Sequence, residues 1–342
     1  MRCVRWLTLV LLVAVPNVPA ADQLFDLQPV VPGVWAAIAR PQYKINCNAA
    51  IVELDDGLLV VDTHSKPSAA RTLIEQIKTV SPKPVKFVVN THFHWDHYQG
   101  NAAYPSAWPA GIEIISSEAT RESIEHRGIP RLKNQLVEVP KEIEKLKSDL
   151  DKSSGPEQRA EIGNNLRQAE AYLAELKTMQ VVLPSLTFDR SLIIHRPSRT
   201  VHLLWLGKAH TDGDIWILLP KEKVLASGDA LHTFTPYMAD GYPYDWIRTL
   251  EAAEVLDFEH VIPGHGPVLH DKKQFQAWKD YLRDLMAQTA SAYASGATMA
   301  ETVQRISPGL LAKHQGAMPA TFPTDIIPNI QKAYRVVSGA TE

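Results

Sequence analysis

The chain has 342 residues, of which 45% are hydrophobic, and a formal net charge of −3. A mildly acidic chain without a cluster of Lys and Arg argues against a nucleic-acid partner, because phosphate contacts need concentrated positive charge. The composition is that of a globular protein, and a chain of this length can bury a large core in one or two domains.

The first residues have the pattern of a secretory signal peptide. A short basic start precedes an apolar run over 6–15, and the small residue Ala20 stands at a suitable cleavage position. The run is shorter than the roughly 20 apolar residues that a membrane-spanning helix requires. We therefore expect removal of residues 1–20 and a periplasmic or secreted protein without stable membrane insertion. Cleavage would also remove the other cysteine of the chain, so Cys47 would remain as a lone thiol.

Short apolar segments that follow predict the first strands of a sheet. Asp56-Gly57 marks a hairpin turn between two of them. Apolar residues at helical spacing predict a helix over 67–79, with Pro67 in its first turn and Pro82 after its end. The predicted strands are 34–38, 50–54, 58–62 and 86–90.

Three imidazoles and a carboxylate follow the last of these strands within the short stretch 92–97. Residues two apart in an extended segment point to the same side, so His92 and His94 can reach one ion. A turn would direct the adjacent Asp96 and His97 at a second point beside it. Four side chains of the metal-ligand type this close together predict a metal site.

This pattern resembles the HxHxDH signature of the metallo-β-lactamase superfamily. Three later motifs match the other ligands of that family in the expected order, around His210, Asp229 and His265. The resemblance implies an α/β protein, an αββα sandwich of two mixed β-sheets flanked by helices. The ligand sets that it implies are His92, His94 and His210 for one ion, Asp96, His97 and His265 for a second, and Asp229 as a bridge.

The donors in these sets are nitrogen and oxygen, which suits two Zn²⁺ ions without excluding Fe or Mn. Two such ions about 3.5–4 Å apart can share a hydroxide that attacks an electrophilic carbonyl group. The resemblance thus implies a dinuclear zinc hydrolase of a small molecule such as a lactone, β-lactam, ester or thioester. Asp229 stands where many true β-lactamases carry Cys or Ser, and it resembles the glyoxalase II and lactonase branches.

Asp96 and His232 are the candidate catalytic residues. Asp96 would hold the hydroxide and take its proton. His232 lies three residues after Asp229, where lactonase-like relatives place a residue that faces the substrate, although a structural role is nearly as well supported. Two other functions stay open, an iron-dependent oxygenase or oxidoreductase and a binding protein without catalysis on the same fold. The complete ligand set argues against the binding protein.

Asp62 and His64 follow a strand of the same sheet, and we expect them to form hydrogen bonds near the metals rather than to bind an ion. Residues 131–180 depart from the strand pattern, since apolar residues recur at three-four spacing on both sides of a turn at 153–156. This predicts an inserted antiparallel helical hairpin. A packing arm, a lid and an oligomer contact are alternative roles for it.

The remaining chain predicts further strands over 192–194, 201–206, 215–219 and 224–226, followed by three helices. The first has Phe275, Trp278, Leu282 and Met286 on one face, and the others lie near 299–306 and 324–337. We divide the chain into a catalytic domain over 21–270, which includes the hairpin, and a helical C-terminal extension over 271–342. The histidines expected to be surface or structural residues are His126, His195, His202, His260, His270 and His314.

Overall fold

The computed structural model describes residues 24–41, 44–109 and 111–340, so the expected signal peptide lies outside the described residues. Two β-sheets pack face to face, and helices cover the outer face of each sheet. This is the predicted αββα sandwich of two mixed sheets.

The first sheet contains seven strands whose order in the sheet follows the chain. They are β1 (Phe25–Val31), β2 (Val34–Ala39), β3 (Ala49–Glu53), β4 (Leu58–Val61), β5 (Val85–Val89), β6 (Glu113–Ser117) and β7 (Leu186–Phe188). Neighbours are antiparallel from β1 to β4 and parallel from β4 to β7. The predicted Asp56-Gly57 turn joins β3 to β4, whereas β1, β6 and β7 were not predicted.

The outer face of this sheet is covered by α1 (Pro67–Val80) and α3 (Ala103–Ala107), with the short α2 (Trp95–Tyr98) between them in sequence. The buried residues of α1 include Leu73 and Ile77, which pack against the strands. The helix ends as predicted before Pro82, where the N–H of Ser81 donates to the carbonyl of Ile77.

The predicted helical hairpin is present, and it begins earlier than residue 131. Helical structure runs from α4 (Glu118–Ser123) through a π-helical segment (Ile124–Gly128) into α5 (Ile129–Lys152), and α6 (Pro156–Leu176) returns antiparallel to it. Its own small core consists of Leu132, Val139 and Ile143 from α5 and Ala169, Tyr172 and Leu176 from α6.

The second sheet has five strands, ordered β12-β11-β10-β9-β8. They are β8 (Ser191–His195), β9 (Thr200–Leu204), β10 (Trp216–Leu219), β11 (Val224–Gly228) and β12 (His260–Pro263). Only the β11–β12 pair is parallel. The core between the sheets joins Val61 and Val89 of the first sheet to Val201 and Ile262 of the second. Because both faces of the central strands are buried, their sequences are continuously apolar.

Four helices cover the outer face of the second sheet, and they are α7 (Pro243–Glu254), α8 (Lys273–Ala294), α9 (Met299–His314) and α10 (Phe322–Ser338). One core joins Trp216 of the sheet to Trp246, Trp278 and Ile330 of the helices. The C-terminal extension is helical as predicted, and it packs directly against the second sheet of the catalytic domain. Its division from that domain near residue 271 stays a prediction. Across the described ranges, no helix combines the length and apolar character needed to span a bilayer.

Candidate metal centre

The predicted ligands lie just after the carboxyl ends of strands that meet at one edge of the sandwich. His92 follows β5, His210 follows β9, Asp229 follows β11 and His265 follows β12. The structure brings all seven predicted ligands together, and each is at most 9% exposed. Motifs separated widely in sequence therefore form one buried cluster.

The first group within this cluster, which we call the three-histidine set, consists of His92, His94 and His210. Nδ1 of His94 lies 2.8 Å from Nε2 of His210. The ring of His92 stands at 4.8 Å from that of His94 and 4.9 Å from that of His210, measured between centroids. Nitrogens of all three rings thus converge on one point.

The outer ring nitrogens of this set bind to neighbouring acceptors. Nδ1 of His210 donates to the carbonyl of Tyr237 at 3.0 Å, and Nε2 of His94 donates to the carboxylate of Asp240 at 2.8 Å. Nδ1 of His92 lies 3.0 Å from the hydroxyl oxygen of Thr91.

The Thr91 hydroxyl itself donates to Asp62 at 2.8 Å, so it accepts from His92. These contacts fix the tautomer of each ring in the set and leave the inward nitrogen with a free lone pair.

The second group, the mixed set, consists of Asp96, His97 and His265. Oδ2 of Asp96 lies 3.2 Å from Nε2 of His265 and 3.5 Å from Nε2 of His97. Burial disfavours the charged imidazole of His265, but the Asp229 and Asp96 carboxylates outweigh this and raise its pKa to about 9. The set therefore combines negative and positive groups in a buried site.

Asp229 lies between the two sets. Its Oδ1 is 3.3 Å from Nε2 of His97, and its Oδ2 is 3.3 Å from Nε2 of His265 and 3.7 Å from Nε2 of His210. Burial opposes ionisation of Asp229, yet His265 and His97 hold its pKa well below the ordinary value. A Cβ on Gly264 would lie 2.0 Å from Oδ1 of Asp229, so only glycine fits beside this carboxylate.

Asp62 supports both sets through hydrogen bonds to Thr91 and His97. It accepts hydrogen bonds from the backbone N–H of Thr91 and from Nδ1 of His97, each at 2.8 Å. Its φ of 63° is strained for a residue other than glycine, which is a feature that clusters at functional sites. The predicted hydrogen-bonding role of Asp62 is confirmed. His64 instead bonds to the carbonyl of Cys47 at 3.0 Å and stacks on Phe25, and burial lowers its pKa to about 3.

Comparison with known proteins agrees with this geometry. The family model described as the metallo-beta-lactamase superfamily matches residues 43–265. The chain belongs to the metallo-β-lactamase superfamily. Its relatives in this superfamily are metal-dependent hydrolases, and the matched residues contain all seven predicted ligands.

Two curated relatives align with most of this chain. A linear primary-alkylsulfatase from Pseudomonas sp. (strain ATCC 19151) is 22% identical over 277 residues, which cover 75% of this chain and 49% of the relative. A metallo-beta-lactamase type 2 from Bacillus sp. (strain 170) is 24% identical over 227 residues, which cover 65% of this chain and 67% of the relative. The chain thus spans about half the length of the alkylsulfatase.

Solved structures share the fold. A metallo-beta-lactamase from Pontibacter korlensis aligns with a TM-score of 0.55 and 17% identity, covering 76% of this chain and 99% of the other. The FIM-1 metallo-β-lactamase from Pseudomonas aeruginosa, in its mono-zinc form, aligns with a TM-score of 0.53 and 18% identity, covering 77% and 96%. At these identities the likeness establishes the metallo-β-lactamase fold alone.

The residues of the centre fit bound metal ions. Nε2 of His92 is buried and has no hydrogen-bond partner among the described residues. Nε2 of His97 and Oδ1 of Asp229 face each other at 3.3 Å, and they are also buried without a well-formed hydrogen bond. Buried polar atoms without partners are costly, and a cation would satisfy these three together. The nitrogen and oxygen donors suit zinc, as predicted, with iron and manganese as chemically possible occupants.

Asp240 is a functional residue that the sequence analysis missed. Besides His94, its carboxylate binds Arg131 through two hydrogen bonds of 2.7 Å, and it also binds Arg127. Burial opposes ionisation, but the hydrogen bonds from Arg131 and His94 lower the pKa of Asp240 well below its ordinary value. Asp240-Gly241 has the sequence of an ordinary turn, and nothing local connects it with His94.

A cavity of about 610 Å³ opens over both sets. The apolar and aromatic side chains in its lining are Ile45, Trp95, Phe234 and Tyr237. The first helix of the hairpin, α5, contributes polar residues at three-four spacing to the lining. We call these residues the α5 stripe, and they are Arg131, Asn134, Gln135 and Glu138. The hairpin therefore forms a wall of the cavity.

His232 also lines this cavity, and its role toward the substrate stays a prediction. Its Nδ1 accepts a hydrogen bond of 3.0 Å from the backbone N–H of Phe234, and its ring packs edge-on against Trp278. Burial lowers the pKa of His232 to about 4. The imidazole is therefore neutral near pH 7, and its proton lies on Nε2.

The other histidines match their expected surface or structural roles. His126, His195 and His270 are exposed, and His202 and His260 are half-buried. Nε2 of the buried His314 bonds to Asp284 at 2.8 Å, far along the chain from the centre.

Proposed function

We propose that the protein is a dinuclear, zinc-dependent hydrolase that cleaves a cyclic or ester-like small molecule in the cavity over the two sets. The observation that supports this most strongly is the orientation of the three-histidine set. Its outer nitrogens are held by acceptors, so its inner lone pairs converge beside the carboxylate of Asp229. Bound zinc supplies a Lewis acid and lowers the pKa of bound water.

The residues of the chain provide the remaining requirements of hydrolysis. Asp229, whose carboxylate lies near His97 and His210, would help to hold the ions by compensating their positive charge. Asp96 places Oδ2 at the centre, where it can hold a proton during turnover. Nε2–H of His232 can donate a hydrogen bond to the substrate or to the leaving group. The apolar and aromatic residues of the cavity lining favour a substrate with an apolar body, because binding removes apolar surface of both from water.

The experiment is metal analysis of the purified protein, followed by a hydrolysis panel. The panel contains lactones, β-lactams, carboxylic esters, thioesters and phosphodiesters. Alkyl sulfates are added because one curated relative is named an alkylsulfatase. We expect close to two zinc ions per chain and turnover of at least one carbonyl class, abolished by a chelator and restored by zinc.

Three results would contradict the proposal. Iron in place of zinc, together with oxygen consumption, would favour the oxygenase alternative. Tight binding of small molecules without turnover of any panel member would favour a binding protein. Turnover of alkyl sulfates alone would change the substrate class and leave the metal chemistry in place.

We further propose that the protein is exported after removal of residues 1–20. The sequence pattern of that segment is the support for it. Mass spectrometry of exported protein should find an N-terminus at Ala21, and retention of the segment would contradict this.

A further inference from the structure

A single loop supports three histidines of the candidate centre. This site loop, residues 233–241, is part of the connection between β11 and α7. The carbonyl of Tyr237 accepts from His210, the carboxylate of Asp240 accepts from His94, and the N–H of Phe234 donates to His232. The position of the loop backbone therefore sets the orientation of these rings.

Two buried polar side chains of α10 hold this loop from behind. Nδ2 of Asn329, which is 3% exposed, donates to the carbonyl of Pro236 at 2.8 Å. Nζ of Lys332, which is 8% exposed, donates to the carbonyl of Ala239 at 2.9 Å. Pro236 immediately precedes Tyr237, and Ala239 immediately precedes Asp240. Burying an amide and an ammonium group is costly without such partners, so these bonds hold both side chains against the loop. Nδ2 of Asn329 also lies 3.0 Å from the hydroxyl of Tyr281 in α8.

Apolar contacts reinforce the same connection. Met238, in the middle of the site loop, is 1% exposed and belongs to the core that contains Ile326 and Ile330 of α10. From α10, the loop thus receives two hydrogen bonds and apolar packing, in addition to the bonds that Arg127 and Arg131 make to Asp240. That helix begins at Phe322, well beyond residue 265, where the superfamily match ends.

We propose that Asn329 and Lys332 are positioning residues of the metal centre. They fix the site loop and, through Tyr237 and Asp240, the inward orientation of His210 and His94. The C-terminal extension would then determine the metal affinity of the three-histidine set. The mixed set is supported by Asp62, which accepts from His97. The site loop contacts it near the start of the loop, where Phe234 stacks on His265, and not at Tyr237 or Asp240, so the mixed set should depend less on α10. This inference rests on the proposed function only in taking the three-histidine set as a zinc site.

The test measures Zn²⁺ binding by competition with a chromophoric chelator in two backgrounds. His265→Ala leaves the three-histidine set as the complete site, and His92→Ala leaves the mixed set. Lys332→Met keeps the aliphatic stem but removes the donor. We expect it to weaken zinc binding about tenfold in the first background, the low end for a supporting hydrogen bond. In the second background, zinc binding should stay within twofold.

Hydrogen exchange gives a second readout that needs no metal. The N–H of Gly241 donates to Met238, and the N–H of Tyr242 donates to Ala209. Exchange at these two amides should accelerate in metal-free Lys332→Met and in Asn329→Ala. Lys332→Arg, which keeps a donor, should restore most of the protection and most of the zinc affinity.

Tyr334→Phe is the matched control, since it removes a hydrogen bond from α10 to Ala297 without touching the site loop. Wild-type zinc affinity and loop exchange in folded Lys332→Met would overturn the inference. An equal loss in Tyr334→Phe would also overturn it, because general destabilisation of α10 would then be the cause. If the wild-type protein binds no zinc, the proposed function fails, and exchange of the loop amides alone decides whether α10 fixes the loop.

Discussion

Oδ2 of Asp240 lies 2.8 Å from Nε2 of His94, although 146 positions separate the two residues. A carboxylate accepts the hydrogen bond, so His94 donates from Nε2 and keeps its Nδ1 lone pair for the centre. The same carboxylate binds Arg127 and Arg131 of the helical insertion. One charged group therefore connects the insertion with the metal centre.

Asp240→Asn tests this connection. The amide is neutral, so it weakens the bonds to His94 and to both arginines. We expect zinc affinity at the three-histidine set to fall about 10- to 100-fold. Asp245→Asn serves as the control because that carboxylate pairs with Arg248 on the surface of α7. Calorimetric titration with Zn²⁺ measures the change, and unchanged affinity would show that Asp240 does not orient His94.

Asp229→Ala distinguishes a one-metal from a two-metal enzyme. The carboxylate faces both sets, and its charge offsets the repulsion between two cations. The variant should keep an ion at the three-histidine set and lose much of the second one. Activity should fall more than binding of the first ion does. Elemental analysis after gel filtration measures the ion count, and two tightly held ions with normal turnover would exclude a bridging role.

His232→Ala tests the proposed hydrogen bond to the substrate. The neutral ring offers Nε2–H to the cavity, while its Nδ1 accepts from Phe234. We expect kcat to fall roughly 100-fold, the low end for a general acid, with metal content intact. His260→Ala, which lies away from the cavity, should be neutral. A wild-type rate in His232→Ala would leave this histidine with a structural role.

The α5 stripe should contribute to substrate choice. Asn134 is an exposed member of the stripe and lines the cavity. Asn134→Leu should change KM by about 2- to 10-fold for substrates with a polar group at this wall, the equivalent of one hydrogen bond. Lys133→Leu, outside the stripe, is the control. Equal KM values across the substrate panel, with both ions bound, would make the hairpin a packing element.

The first ligand motif could be predicted because it is local: His92, His94, Asp96 and His97 lie within one stretch that follows a strand. The three later ligands were predicted from the resemblance to the superfamily. Strands such as β4 and β10 could also be predicted from the sequence. Both faces of these strands are buried, so their residues are continuously apolar and do not alternate with polar ones. β1 was missed because it contains Pro29 and exposed polar residues.

The support of the site could not be predicted in this way. Asp240 and Lys332 act through contacts with residues far away in the sequence, and turn and helix patterns give no sign of them. The extent of α9 was also underestimated. Pro308 is a typical helix terminator, yet the helix continues to His314, where tertiary packing of Leu310 outweighs local propensity.

A buried carboxyl group near the centre makes stability depend on pH. Asp214 is 2% exposed and accepts hydrogen bonds from the backbone N–H of Thr211 at 2.7 Å and from its hydroxyl at 2.9 Å. Burial outweighs these bonds and raises the pKa of Asp214 to about 7. Between about pH 4 and pH 7, the folded protein therefore binds a proton that the unfolded chain has released.

The free energy of unfolding should consequently fall as pH rises through this range, because the unfolded state then binds fewer protons than the folded state. This rise in the pKa of Asp214 corresponds to a loss of unfolding free energy on the order of 4 kcal/mol by pH 8. Asp214→Asn cannot ionise, and its amide can accept from the N–H of Thr211 while donating to the hydroxyl. Its stability relative to wild type should thus increase from pH 4 to pH 8 in urea unfolding of metal-free protein. The exposed Asp189→Asn should show no such trend, and a constant difference for Asp214→Asn would mean that Asp214 is already ionised in the folded protein at pH 4.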